Sequence, residues 1–83
     1  MSWNYRIFKR ESPLFGEGPT YDIVEAFYND DGTLRSISVD GVAPMGDSPE
    51  ELAQDLRWML KAFDKPILDS SVKYNDEDEN DTE

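Results

Sequence analysis

The chemistry open to this chain is set first by what it lacks. With no histidine and no cysteine in 83 residues, it has neither a thiol nucleophile nor the side chain best suited to proton transfer near neutral pH, and most zinc sites are excluded. What remains is carboxylate: 19 acids against 8 bases, a formal net charge of −11. Glycoside hydrolysis needs two carboxyls facing each other across a cleft, for which so small a domain has little room. The acid-rich stretches "NDDG" (29–32) and "DEDENDTE" (76–83) lack the register of a calcium loop, whose ligands, glycine and glutamate stand at fixed positions. No catalytic residue, cofactor or metal ligand is therefore assigned, and a non-enzymatic role is expected. The charge also argues against direct binding to nucleic acid or anionic membrane, because phosphate contacts need a basic surface. Arg6, Lys9 and Arg10 are too few for such a site and read as guards of an edge strand.

The side chain that stands out is instead Trp58, in "SPEELAQDLRWMLKAF" (48–63). This stretch predicts an amphipathic helix over 48–64. Ser48 as N-cap, Pro49 at the first helical position and Glu51 three residues past the cap form a capping box, and the helix dipole favours an acidic first turn. Leu52, Leu56, Met59, Leu60 and Phe63, with Ala53, form a stripe a little over 100° wide, enough to lie on a sheet. Pro66 ends the helix by disfavouring helical geometry at Lys65. Trp58 lies about 240° round from Leu52, outside that stripe, with Gln54 and Ala62 as neighbours. Two readings stand: the C-terminal segment folds over the outer face and covers it, or it is an interface anchor, a role in which tryptophan is enriched. Under the second, the partner-binding residues are Trp58, Gln54, Asp55, Lys61, Ala62, Glu50 and Glu51.

The elements that hold this helix are strands. "WNYRIFKR" alternates, with Trp3, Tyr5 and Ile7 on one face; "YDIVEAFY" is a central strand with apolar residues on both faces; "TLRSISV" carries Ile37 and Val39 on one face. Gly32 in "NDDG" supplies the positive φ of a hairpin turn. "ESPLFGEGPT" forms a long loop with Leu14 and Phe15 at its tip. The helix is expected to pack on Trp3, Tyr5, Ile7, Ile37 and Val39 or on their alternates, and "ILD" to form a short last strand or a latch. The result is one α+β domain over 1–68, a three- or four-stranded antiparallel sheet under one helix, followed by a disordered acidic tail over 69–83. Residues 1–68 hold 12 acids and 7 bases, the tail 7 acids and 1 base. No signal peptide or apolar run long enough to span a bilayer is legible, so a cytoplasmic protein is expected.

Laid out this way, "SWNYRIFKR", "YDIVEAFYNDDG" and "GDSPEELAQDLRWMLKAFDKPIL" resemble a group of short bacterial and phage proteins, a likeness that brings no activity with it. A looser similarity is to the sheet-and-helix module of HicB-type antitoxins, carried by Gly46, Asp47, Ser48, Glu50, Glu51 and Leu52. That resemblance implies three antiparallel strands leading into the helix, and a protein that neutralises a small ribonuclease toxin by binding it. The function expected is a small acidic protein-binding module that inhibits or modulates a partner with a basic surface by occlusion, antitoxin-like or of the phage anti-defence type. The alternatives are a homo-oligomeric protein, in the simplest case a homodimer, and a DNA mimic that occupies a nucleic-acid-binding protein.

Overall fold

The computed structural model describes residues 2–11 and 18–75. Strands β1 (Ser2–Arg10), β2 (Thr20–Tyr28) and β3 (Leu34–Ile37) precede helix α1 (Pro49–Leu60), which tightens into a 3-10 turn over Lys61–Asp64. This is the α+β fold, β-β-β-α, that the sequence predicts. The loop tip with Leu14 and Phe15, and the tail beyond Asn75, lie outside the described residues.

β2 is central and antiparallel to both neighbours. Side chains alternate between faces along a strand, so the register sets two surfaces. Trp3 opposite Phe27 and Ile7 opposite Ile23 lie on one; Asn4 opposite Ala26 and Arg6 opposite Val24 lie on the other. Asn29–Thr33 closes the second hairpin. Gly32 takes φ +88°, and its N–H donates to the Asn29 carbonyl at 2.9 Å while the Asn29 N–H donates to the Thr33 carbonyl at 2.8 Å. A register shift between Phe27 and Tyr28 interrupts the β2–β3 ladder, and Ile37 pairs with Ala26. Ile37 therefore faces away from α1, and Val39 is exposed; neither joins the helix core, contrary to expectation.

The helix starts where the sequence places it. Ser48 Oγ accepts from the Glu51 N–H at 3.1 Å, and the Glu51 carboxylate accepts from the Asp47 N–H at 3.0 Å, so the capping box closes one residue early. Gly46 is sterically required, since a Cβ there would meet the Leu52 nitrogen and lie 2.7 Å from the Glu51 carbonyl carbon.

The rotation of the helix differs from the expected one. The core beneath it is Tyr5, Ile7, Met59 and Ala62, with Ile23 and Val42 packed against it. Of the expected stripe Met59 is buried and Ala53 half-buried, whereas Leu52, Leu56, Leu60 and Phe63 are 39 %, 45 %, 64 % and 64 % exposed. Two contacts explain the rotation. The Tyr5 hydroxyl donates to Asp55 Oδ1 at 2.6 Å, and the Met45 N–H donates to Asp55 Oδ2 at 2.9 Å, turning Asp55 toward the sheet. Ala62, small enough to let the 3-10 turn approach β1, is fully buried. The sheet-facing line is thus Asp55, Met59 and Ala62, at helical i, i+4, i+7 spacing.

The segment after the 3-10 turn completes the domain. Leu68 forms a parallel bridge with Phe8: its N–H donates to the Ile7 carbonyl at 2.9 Å, and its carbonyl accepts from the Lys9 N–H at 2.8 Å. Asn75 reaches the other edge, its N–H donating to the Leu34 carbonyl at 2.8 Å. The segment therefore spans the width of the sheet. Residues 69–75, assigned to the tail by their composition, are tied to the fold at Asn75, whose N–H and carbonyl have partners on β3 and its turn. On the face away from α1, Val24 and Ala26 are fully buried. Arg6 on that face donates to the Tyr28 hydroxyl at 2.9 Å and to the Pro66 carbonyl at 2.6 Å, and Tyr28 donates onward to Asn4 Oδ1 at 2.8 Å. Arg10 pairs with Asp22 and sits 5.0 Å over the Phe8 ring. Arg6 and Arg10 are thus engaged by groups of the same chain, Lys9 pairs with Glu11 at the surface at 3.8 Å, and at residues 7–9 the edge of β1 is covered by Leu68.

Candidate partner-binding groove

A groove runs between the start of β1 and the flank of α1. Its walls are Trp3 and Trp58, Tyr5 lies at its base, and Lys61, Asp64 and Lys65 form its rim. Trp58 stands here because a helix anchored through Asp55, Met59 and Ala62 carries position 58 about a quarter turn to one side. Trp3 stands here because it shares the α1-facing side of β1 with Tyr5 but lies two residues nearer the strand's start. The two indoles are 48 % and 49 % exposed, so neither is covered by the C-terminal segment, which engages the sheet instead. Trp3 is held edge-on against Tyr5, with ring centroids 5.1 Å apart and planes at 88°, a favoured aromatic geometry.

The two titratable groups beneath the groove are locked to each other. Burial, and then the hydrogen bond to Asp55, push the Tyr5 hydroxyl up to about 12. The Tyr5 hydroxyl, helped by the Met45 N–H, holds the Asp55 carboxyl below its ordinary range. At neutral pH one keeps its proton and the other stays ionised, so neither is poised for proton transfer. Two lysines against one aspartate make the rim locally basic on an acidic chain. Two large flat apolar surfaces with a cationic rim can hold an aromatic or aliphatic side chain and orient a neighbouring carboxylate.

Of the residues the sequence singles out, Trp58 and Lys61 line this groove. Gln54 is exposed and accepts from Arg57 Nη1 at 3.3 Å. Glu50 and Glu51 are exposed at the first turn, Glu51 being engaged with Asp47. Asp55 and Ala62 do not belong to an outer surface: Asp55 is the bracket between β1 and the loop before α1, and Ala62 is core. Trp3, Asn4, Tyr5, Asp64 and Lys65 are the groove residues that the sequence reading misses. Alternation places Trp3 on the helix side of β1, and the readable signal was its position at the strand's end, where a 12-residue helix need not reach.

Among the described residues, no group of three or more acidic side chains is placed to hold a metal ion, and no helix is long and apolar enough to cross a membrane. Comparison with protein-family models, with curated proteins and with solved structures returns no match to this chain.

Proposed function

We propose that this protein is a small non-catalytic binding module that modulates a protein partner by occlusion, in the manner of an antitoxin or an anti-defence inhibitor, and that its anchor is the Trp3/Trp58 groove. The observation that carries the reading is the pairing of two half-exposed tryptophans from distant parts of the chain across one open groove. Exposed tryptophans are costly in solution and concentrate at binding hot spots. The partner inserts an apolar or aromatic side chain between the indoles and sets an acidic group against Lys61 and Lys65. Its basic residues face Glu50 and Glu51, where long-range attraction to this acidic chain accelerates encounter.

The test is a pull-down from bacterial lysate with immobilised wild type, Trp58→Ala and Trp3→Ala, with circular dichroism to confirm that each variant folds. A partner captured by wild type is then titrated against all three. Each substitution is expected to weaken binding by about 2 kcal/mol or more. Equal affinity of wild type and both variants for that partner sinks the reading. Competition by duplex DNA with a steep salt dependence would instead mark a DNA mimic.

A further inference from the structure

On the opposite flank of α1, Leu52, Leu56 and Leu60 stand four residues apart and form a straight ridge that Phe63 extends. The ridge is continuous with Val42 and Tyr21, which line a cleft with Leu56, Leu60 and Phe63, and with Ile67, which borders Tyr21 and Phe63. Tyr21 and Ile67 are exposed as well. None of these side chains belongs to the groove.

We infer that this ridge is the contact face of a homodimer in which two α1 helices pack antiparallel about a two-fold axis near Leu56. Three observations commit it to a second copy. First, the spacing is self-complementary: with Leu56 on the axis, Leu52 of one protomer meets Leu60 of the other and each ridge fits the groove between the partner's rows. Second, charge along the helix is polar end to end. Glu50 stands in its first turn and Arg57 in its last, seven residues apart and so on the same outer side of the helix, beside the ridge. Antiparallel packing sets each acidic end beside a basic end, whereas parallel packing would set like beside like. Third, the area is of the right order. Six half-exposed apolar side chains offer on the order of 500 Å² per protomer, about 1,000 Å² in all, the lower bound for a specific interface and compatible with a micromolar dimer. The inference goes beyond the partner reading, since it assigns the second flank of the helix and leaves both tryptophan grooves of the dimer open.

Sedimentation equilibrium from micromolar to millimolar protein tests it, on wild type, Leu56→Asp, Glu50→Lys and Trp58→Ala. Leu56 is exposed in the monomer, so Leu56→Asp keeps the fold, checked by circular dichroism, while placing two like charges at the axis. Wild type and Trp58→Ala are expected to dimerise alike, Leu56→Asp to stay monomeric throughout, and Glu50→Lys to raise the dimer dissociation constant several-fold. A wild type monomeric at millimolar concentration overturns the inference. So does a dimer that survives Leu56→Asp, or one lost in Trp58→Ala, which would move self-association to the groove. An unchanged dissociation constant in Glu50→Lys overturns the antiparallel arrangement.

Discussion

The two faces of the sheet are covered in opposite ways. On one lies α1, a helix with a strong apolar stripe, most of which it leaves in solvent. On the other, Val24 and Ala26 are completely buried, and the segment spanning the sheet, 66–75, consists from residue 69 onward of what composition reads as a polar tail. Hydrophobic periodicity thus reports that a helix has an apolar side, not what will cover it. Backbone hydrogen bonds to strand edges hold a segment whose side chains carry little hydrophobic signal. The faces differ in exposure: one is closed within the chain, and the other leaves apolar side chains in solvent on both flanks of its helix.

The comparison is broken most severely by shortening the chain. Deleting 69–83 removes three bonds of Asn75: its N–H to the Leu34 carbonyl, its carbonyl accepting from Asn29 Nδ2, and its Nδ2 donating to Thr33 Oγ1. At about 1 kcal/mol each, the loss is roughly 3 kcal/mol, close to the whole stability of so small a domain. Deleting only 77–83 is expected to change stability by no more than about 0.5 kcal/mol. Urea unfolding of the two truncations decides this, and equal midpoints would refute the tie between segment and sheet.

Next in size is the contrast between adjacent helix positions. Met59→Ala opens a cavity against Tyr5 and Ile7 and is expected to cost about 2–3 kcal/mol. Leu60→Ala, one residue on and largely exposed, is expected to cost less than about 1 kcal/mol when measured on dilute monomer. Had the helix docked through the whole stripe read from the sequence, both substitutions would be severe. Thermal melts of the pair distinguish the two rotations.

The smallest effect sharpens the reason for the rotation. Tyr5 holds its proton up to about 12 against an ordinary value of 10. The unfolded chain loses that proton first, so the contribution is complete below pH 10 and is lost as pH rises through about 12. A rise from 10 to about 12 corresponds to at most about 2.7 kcal/mol, and solvent screening at the half-buried Asp55 brings the loss in wild type to on the order of 1–2 kcal/mol. Tyr5→Phe is expected to remove this part of the alkaline decline, seen as a shallower fall in the unfolding midpoint above pH 10. The depressed Asp55 carboxyl works in the other direction: its contribution is present above the ordinary carboxylate range and is lost as pH falls through its lowered value. Superimposable pH profiles for wild type and Tyr5→Phe would leave the Tyr5–Asp55 bracket without thermodynamic support.

Much of the fold was legible in the residues. Alternation in 3–10 and the apolar run at 21–28 marked β1 and β2, Gly32 marked the turn, and Ser48 with Pro49 marked the helix start. These are local signals, set by φ/ψ preferences and by the orphan N–H groups of a helix's first turn. The angular position of Trp58, outside the apolar stripe, was legible for the same reason. Asp55 and Ala62 were not, because a carboxylate that turns inward to a tyrosine hydroxyl looks like any surface acid. An alanine selected for close approach looks like any helix former.

The sequence alone determined the element types, the order β-β-β-α, the helix cap and the absence of histidine and thiol chemistry, since each depends on residue type or on neighbours a few positions apart. Only the tertiary structure decided the rotation of α1, the meeting of Trp3 with Trp58 and the capture of residues 69–75. Those follow from contacts between positions some fifty residues apart, as between Tyr5 and Asp55, and long-range packing chooses among local patterns that are each equally satisfied on their own.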